Sequence, residues 1–443
     1  MRNMTAQRTE IPTCPDAEAR EFIEDLGAFV TASPSSFHAA AEAARRLEEA
    51  GFSRLEETED WAGAESVTGA RYVVRDGSVI AWVTPGDVSA ATPWRILGAH
   101  TDSPAFKVKP KPSIGAEGFA QVGVEVYGGP LLNSWLDRDL RLAGRLVLDD
   151  GTTHLVSTPP VLRIPQLAVH LDRGVNAEGL KLDPQRHMQP VAGLGEVDIV
   201  GLLARCAGVD PERIRGMEVV TVDTQEPAVI GAGEELFASA RLDNLASTHG
   251  GVRAIIDVAA AALPSGPIAL FIANDHEEVG SSTRSGAGGP FLEDILVRMH
   301  AALGGDDSSR RRASAASMVL SCDTGHAAHP NYPERHDPAN RPRLGAGPLL
   351  KINAQQRYAT DAVGAAAFAA ACAQAGVPFQ EFVSNNAMPC GSTIGPITAT
   401  RLGITTIDCG VALLSMHSAR ELCAVVDPLM LQKASVAFLT PRH

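Results

Sequence analysis

The sequence predicts an α/β fold that is interrupted by a β-rich domain. At both ends of the chain, helical patterns alternate with short apolar strand patterns, which is typical of α/β architectures. Between about Pro104 and Gly233, short turn-bounded strand patterns follow one another without a long helical period. The length of 443 residues also exceeds what one simple core supports. We therefore predict a discontinuous α/β domain of residues 1–105 and 233–443, with residues 106–232 forming a β-rich insertion.

The first segment begins with a helical pattern over residues 16–50, which Ser and Pro residues at 33–36 interrupt. Strand patterns follow at residues 72–74, 79–83 and 95–99. Asp76 and Gly77 separate the first two strands and form a hairpin signal. In the insertion, strands are predicted at residues 122–129, 145–151 and 161–164.

Helices and strands alternate again beyond residue 240. The predicted helices cover residues 245–262, 291–303, 362–375 and 427–438. The predicted strands cover residues 268–273, 318–321, 379–383 and 404–408. Pro428 lies in the first turn of the last helix, where proline is tolerated. The segment 304–317 is rich in Gly, Ser and Arg, and we expect it to be a solvated loop that includes the three consecutive arginines at 310–312.

Composition indicates a globular enzyme that acts on neither nucleic acids nor membranes. Hydrophobic residues make up 45% of the chain and charged residues 20%, which is ordinary for a globular protein. The formal net charge of −14 argues against nucleic-acid or anionic-membrane partners, because these need basic patches. No signal peptide or membrane-spanning run is apparent. The seven cysteines are dispersed, are odd in number and form no Cys-x-x-Cys pair, so we expect a reducing, cytoplasmic location.

Ionisable residues follow several of the predicted strands. Glu277 and Glu278 come after the strand at 268–273, and adjacent carboxylates are costly to bury unless a positive charge lies beside them. The other residues at strand ends or at a helix start are His100, Asp102, Asp243, Asp323 and His417. Because ligands bind beyond the carboxyl ends of strands in open α/β sheets, we expect these side chains to converge around a divalent metal.

The residue types favour particular metals and roles. Imidazole and carboxylate ligands without thiolates suit catalytic zinc or related divalent ions. Two ions can share one carboxylate and a water, and Asp243 suits the bridging position. Asp102 lies two residues after His100, so its side chain points the same way and can hold the imidazole in place without binding the metal itself. One carboxylate of the pair Glu277 and Glu278 is then a ligand, and the other is a general base.

Several motifs together resemble the aspartyl aminopeptidase family. The matching segments are residues 98–104, 163–165, 170–173, 241–244, 274–281, 329–332, 351–353, 356–361 and 416–418. They run through nearly the whole chain in order, so the combination is specific although each motif alone is weak. The resemblance implies a zinc-peptidase-like three-layer domain with a mixed sheet. It also implies an aminopeptidase that removes N-terminal Asp or Glu from short peptides and uses two divalent ions per chain, Zn²⁺ or alternatively Co²⁺ or Mn²⁺.

The resemblance also implies individual ligands. One ion would be held by His100 and Asp323. The other would be held by Glu278 and His417. Asp243 would bridge both ions.

The same resemblance makes Glu277 the general base, while Asp102 supports His100. In this mechanism a metal-activated water attacks the first peptide carbonyl. Glu277 accepts the proton of the water and later passes it to the leaving amine.

An acidic first residue requires a local cation inside this acidic protein. Lys351, which follows an apolar stretch and lies in a matching motif, is the main candidate, and Arg357 is another. His326 lies three residues after Asp323, near enough to line the same pocket. Tyr358 could donate a hydrogen bond to the substrate. Packing or surface roles remain the alternatives for each of these residues.

Family resemblance further implies a homo-oligomer, a dodecamer that is built through the insertion and encloses its active sites. His170 has no evident place in the metal cluster of its own chain, so we expect it to reach the active site of a neighbouring subunit. Four other functions remain open: a broad-specificity two-metal aminopeptidase, an amidohydrolase, a single-metal enzyme, and an inactive scaffold of the same fold. A panel of N-terminal residues and the metal content per chain distinguish among them.

Overall fold

Residues 15–442 are described by the computed structural model of the chain. The first part supplies two long helices and four strands of the central sheet. Their bounds, with one short helix, are α1 Ala17–Ala32, α2 Ser36–Glu49, β1 Ser53–Arg54, α3 Ala64–Val67, β2 Ala70–Arg75, β3 Ser78–Val83 and β4 Trp94–His100. Asp16 and Ser35 cap α1 and α2 by accepting hydrogen bonds from backbone N–H groups. The predicted break at residues 33–36 therefore coincides with the cap of α2.

The middle part of the chain is rich in strands, as predicted. Its elements are β5 Ala105–Ala116, β6 Phe119–Tyr127, β7 Asp139–Leu148, β8 Thr153–Ser157, β9 Leu162–Arg163, α4 Val175–Glu178, β10 Val191–Leu194, α5 Ile199–Ala207 and β11 Ile214–Asp223. The seven strands lie in the order β11-β5-β6-β10-β9-β7-β8, and β11 also pairs with β7, so the sheet closes on itself. A separate core around Phe106, Trp135 and Leu142 fills it. The short helix α5 was not predicted.

The last part returns to alternating helices and strands. Its first elements are β12 Ala228–Ile230, β13 Leu236–Ser239, α6 Leu242–Ala260, β14 Ile268–Asn274, α7 Phe291–Ala302, α8 Asp307–Ala315, β15 Met318–Cys322, β16 Gly325–His326 and β17 Leu349–Ile352. They are followed by α9 Ala362–Ala375, β18 Gln380–Val383, α10 Ile394–Leu402, β19 Thr405–Gly410, β20 Ala412–Leu413, β21 Glu421–Ala424 and α11 Asp427–Leu439. Short 3-10 turns lie at Leu132–Trp135, Pro211–Arg213, Glu277–Val279 and Pro333–Arg335.

A nine-stranded mixed sheet, in the order β1-β2-β3-β14-β4-β15-β19-β17-β18, forms the middle layer. Strand β14 shows why there are three layers. Ala269, Phe271 and Ala273 pack with α1, α2, α6, α9 and α11 on one face, whereas the alternate residues pack with α3, α7 and α8 on the other. Side chains alternate between faces along a strand, so a strand that is apolar throughout is buried on both sides. The predicted α/β class with a β-rich region is confirmed.

One prediction is wrong: the segment 304–317 is not a loop, because residues 307–315 form α8. Asp306 and Ser309 make a capping box, in which the Asp306 carboxylate accepts from Ser309 N at 2.7 Å and Ser309 Oγ accepts from Asp306 N at 2.9 Å. Arg310 and Arg311 pair with Asp307 within the same helix. Arg311 and Arg312 are exposed and Arg310 is half-buried, and all three lie on a capped surface helix. No helix in residues 15–442 is long and apolar enough to cross a membrane.

Candidate metal centre

The strand order brings the predicted residues to one edge of the central sheet. Strands β14, β4 and β15 are parallel neighbours, so their carboxyl ends lie side by side. His100 is the last residue of β4, and Asp323 follows β15. Glu277 and Glu278 form a 3-10 turn shortly after β14. Asp243 lies at the start of α6 with non-helical backbone angles, and His417 lies in the loop between β20 and β21.

Asp243 lies between two groups of potential ligands. His100 Nε2 is 3.4 Å from Asp243 Oδ1 and 3.4 Å from Asp323 Oδ1. On the other side, His417 Nε2 is 3.4 Å from Asp243 Oδ2 and 3.4 Å from Glu278 Oε2. Each of these groups of three offers ligand atoms that lie within 4.8 Å of one another. Asp243 therefore directs one carboxylate oxygen to each group.

Both histidines have their second ring nitrogen close to a backbone carbonyl. His417 Nδ1 is 2.9 Å from the carbonyl oxygen of Gly129. His100 Nδ1 is 3.1 Å from the carbonyl oxygen of Asp102 and 3.4 Å from its Oδ1. Because a carbonyl oxygen only accepts hydrogen bonds, Nδ1 must donate in each case. When each imidazole loses its other proton, this arrangement leaves the Nε2 lone pair directed at the cluster, as in metal-binding histidines.

Asp102 also fixes the two glutamates, a role that the sequence did not predict. Its carboxylate accepts hydrogen bonds from Glu277 N at 3.0 Å and from Glu278 N at 3.1 Å. The phenolic oxygen of Tyr127 donates to the same carboxylate at 2.8 Å. Burial alone would raise the pKa of Asp102, but contacts with His100 and these donors lower it. Asp102 is therefore an ionised anchor that holds the backbone of the glutamate turn.

Sequence reasoning missed Glu421, which is 2% exposed on β21. One carboxylate oxygen accepts from Asp243 N at 2.9 Å, and the other accepts from His417 N at 2.7 Å. Glu421 thereby connects the backbones of two cluster residues that lie far apart in the chain. Burial raises the pKa of Glu421 to about 8. Its position four residues after His417 was the only available signal.

The electrostatics of the cluster favour a bound cation. Burial raises the pKa of Glu277 to about 8 and that of Glu278 well above its ordinary value. Burial would lower the pKa of His100, but its carboxylate neighbours outweigh this effect and raise the pKa well above 6.5. Among the described residues, Asp243 Oδ1 and Glu278 Oε1 are buried and lack hydrogen-bond partners. Buried carboxylate oxygens without donors fit a divalent ion, which would satisfy them and neutralise the charge.

Of the predicted substrate residues, Lys351 lies beside the cluster. Lys351 is 1% exposed on β17, its Nζ donates to the carbonyl of Thr324 at 2.6 Å, and it lies 3.8 Å from Asp323 Oδ2. The ring of Tyr358 is 5.3 Å from Lys351 Nζ. His326 is exposed on β16. Arg357 is exposed and donates to the carbonyl of Gly391 at 3.3 Å.

His170 lies in an exposed loop of the β-rich region. Leu167, Val169 and Leu171 in the same loop are exposed by 58%, 49% and 75%. No hydrogen bond or ion pair between described residues connects His170 with the cluster of its own chain. This loop is an apolar surface rather than part of the core.

The chain is similar to one known family of metalloproteases and to proteins that belong to it. Residues 29–439 match the family described as aminopeptidase I zinc metalloprotease (M18). The chain is 53% identical to a probable M18 family aminopeptidase 2 of Streptomyces coelicolor, over 97% of this chain and 100% of the relative. It is 43% identical to a protein of the same name from Mycobacterium tuberculosis, over 93% of this chain and 96% of the relative.

Solved structures show the same fold. A structure described as the Ape4 and Nbr1 complex superposes with a TM-score of 0.92 at 33% identity, over 97% of this chain and 88% of that chain. The mApe1 dodecamer of S. cerevisiae superposes with a TM-score of 0.82 at 28% identity, over 95% and 96%. An M18 family aminopeptidase from Thermotoga maritima superposes with a TM-score of 0.83 at 25% identity, over 96% and 97%.

Proposed function

Because the chain belongs to the M18 family of zinc aminopeptidases, we propose that it releases N-terminal Asp or Glu from peptides with two metal ions and Glu277 as general base. The observation that carries this proposal is the position of Asp243 between two groups of ligand atoms. A single carboxylate that faces both groups is the arrangement expected of a bridging ligand in a two-metal site.

The donor set supports a specific assignment of ligands. His100 and Asp323 would hold one ion together with Asp243. Glu278 and His417 would hold the other ion, again with Asp243. All of these donors are nitrogen or oxygen, which suits zinc in a catalytic role and also admits Co²⁺ or Mn²⁺. Bound zinc supplies Lewis acidity that polarises a carbonyl and makes water acidic enough to ionise near neutral pH.

Glu277 is the residue best suited to move the proton. It belongs to neither Asp243-centred group, although its carboxylate lies within 4.8 Å of ligand atoms of His100 and Glu278. The Asp102 carboxylate holds its backbone N–H in place. Burial raises the pKa of Glu277 to about 8 in the metal-free site. The positive charge of bound ions would lower that pKa again, so the ionised carboxylate could accept the proton of water near neutral pH. It can then return that proton to the departing amine.

The acidic preference would come from Lys351, with His326 and Tyr358 beside it. Lys351 is a buried cation beside Asp323 in a protein of net charge −14. A substrate carboxylate that reaches its ammonium gains a charge-assisted hydrogen bond in a site with little water. An uncharged first side chain gains no such bond, so acidic residues are favoured.

Assembly is the remaining part of the proposal. Exposed apolar residues around His170 and the dodecamer formed by the related mApe1 support self-assembly of this chain, also into a dodecamer. In that assembly His170 would enter the active site of a neighbour and contact the substrate. The described cysteines are free thiols, which is consistent with the cytoplasmic, reducing location that we propose.

Zinc content and specificity should be measured together. We expect about two zinc ions per chain, loss of activity on chelation and its recovery with zinc. Peptides that differ only in the first residue (Asp, Glu, Leu or Lys) should give the highest kcat/KM for the acidic residues. Full activity of rigorously metal-free protein would refute the whole proposal. Equal rates for all four peptides would refute only the acidic preference.

A further inference from the structure

We propose that a basic cleft beside the metal centre binds a second carboxylate of the peptide, beyond the acidic first residue. This inference rests on the proposed aminopeptidase function and extends its specificity. The cleft has a volume of about 300 Å³. Its main lining residues are His326, Arg335, His336, Phe382, Asn385 and Met388.

The charge of the cleft is opposite to that of the molecule. Three of its lining residues are Arg or His, and none is Asp or Glu, whereas the whole chain carries a net charge of −14. Arg335 supplies the permanent charge, since guanidinium is ionised at any physiological pH. Burial together with Arg341 and His329 lowers the pKa of His336, so His336 acts there as a neutral hydrogen-bonding group. A carboxylate is the ligand that such a surface attracts.

The guanidinium of Arg335 retains most of its capacity to bind. Its side chain is 62% exposed, and its ion pair with Glu334 is long, at 3.8 Å. The other contact found for it among the described residues is a sulfur contact of 3.7 Å to Met388. Guanidinium has five N–H donors, so a bidentate carboxylate can bind without breaking a strong internal bond.

The walls of the cleft are held in place before any ligand arrives. One wall is the 3-10 turn Pro333–Arg335, and the other is the loop after β18. The side-chain amide of Asn385 donates to the carbonyl oxygens of Glu334 at 3.0 Å and His336 at 3.4 Å. This cross-connection fixes the spacing of the two walls, which reduces the ordering cost of binding.

The cleft adjoins the strand that carries the buried side chain of Lys351. Phe382 is 5% exposed, is the register partner of Lys351 on neighbouring parallel strands, and lies 6.2 Å from the ring of Tyr358. The His326 ring lines the cleft, and its centroid lies 6.5 Å from that of the Phe382 ring in an edge-to-face arrangement. Phe382 therefore links the wall of the cleft to the strand position of Lys351. A peptide whose first carboxylate reaches Lys351 can present a second carboxylate to Arg335 across this ring.

The second carboxylate can come from a following acidic side chain or from the C-terminus of a very short peptide. The zinc-loaded enzyme should be assayed with glutamyl-alanyl-alanine amide, glutamyl-glutamyl-alanine amide, glutamyl-alanine amide and glutamyl-alanine. The two tripeptide amides form one pair, and glutamyl-alanine with its amide forms the other. In at least one pair, the peptide with the second carboxylate should have a kcat/KM about three- to tenfold higher, mainly through a lower KM. The pair that shows the advantage identifies the source of the carboxylate.

Arg335→Met should reduce that ratio to about one. Arg311→Met is the matched control, because Arg311 is an exposed arginine on α8, which leads into the opposite end of β15. The control should retain the ratio of the unmodified enzyme. Equal kcat/KM within both pairs, or an advantage that persists in Arg335→Met, would overturn the second subsite. Failure to hydrolyse any of the peptides with zinc bound would instead refute the proposed function.

Discussion

Replacing Lys351 with methionine tests the acidic specificity directly. The Lys351 side chain is almost fully buried at 1% exposure, and its Nζ already donates to the carbonyl of Thr324 at 2.6 Å. An ammonium has three donors, so two remain for a substrate carboxylate and for Asp323, which lies 3.8 Å away. Methionine keeps the length and the apolar stem of lysine but removes the charge.

The expected loss follows from the energy of a buried charged hydrogen bond. Such a bond contributes about 1.5–3 kcal/mol, which corresponds to about a ten- to hundredfold change in kcat/KM. Lys351 also faces Asp323, a proposed ligand, so part of the loss should affect every substrate. The specificity component is therefore the ratio of kcat/KM for Asp over Asn peptides, and for Glu over Gln peptides.

The assay compares these isosteric pairs in the unmodified protein, in Lys351→Met and in Lys433→Met, with the zinc content measured in each. Lys433 is a surface lysine that pairs with Glu18 at 2.6 Å, so it controls for the loss of one positive charge. Both ratios should fall about ten- to a hundredfold in Lys351→Met only. Unchanged ratios with a uniform loss of activity would show that Lys351 supports Asp323 and does not recognise the substrate.

Four further predictions concern the metal centre and the assembly. Glu277→Gln should lower kcat by at least about 10²-fold and should retain its zinc. Loss of zinc in this variant would show that Glu277 is a metal ligand and not the base. Glu421→Gln leaves one acceptor oxygen for the two N–H groups of Asp243 and His417, so zinc affinity should weaken about five- to a hundredfold. Unchanged zinc affinity would show that Glu421 does not position these two residues. In zinc-free protein, burial raises the pKa of Glu277 to about 8. Burial would lower the pKa of His417, but the Asp243 carboxylate outweighs this effect and raises it to about 9. Both groups are then protonated at pH 7, so zinc binding should release protons and strengthen as pH rises. Calorimetry in buffers of different ionisation enthalpy measures this release, and heats independent of the buffer would argue against it. His170→Ala and Glu277→Gln should each be nearly inactive, and mixed oligomers should recover activity, unless His170 acts only within its own chain.

Local sequence patterns predicted the six helices of twelve residues or more and seven of the nine strands of the central sheet. Helix α9 has the predicted bounds, 362–375, and α11 differs from the prediction by one residue. These helices have clear starts, such as Asp361, whose side chain accepts from Gly364 N. Caps and periodic apolar residues act over one or two turns, so they can be recognised without knowledge of the fold.

The loop prediction for residues 304–317 failed because it relied on composition and did not consider the hydrogen bonds that cap a helix. The Gly/Ser/Arg-rich segment was expected to be a loop, but Asp306 and Ser309 cap α8. Strand β17, which carries Lys351, and helix α10 were also not predicted. Strand β17 has only four residues and is stabilised by pairing with β18 and β19. Such pairing partners are remote in the chain, and a short apolar run does not reveal them.

The sequence by itself determined the family, the α/β class with its β-rich region, and the types of ligand available for a metal. Those properties depend on which residues are present and on their order along the chain, and both can be read directly from the sequence. Tertiary structure alone decided which atoms meet: that Asp243 faces both groups, that Glu421 connects Asp243 with His417, and that a basic cleft adjoins Lys351. These relations join residues up to 178 positions apart. Only sheet register and packing bring such residues within hydrogen-bonding distance.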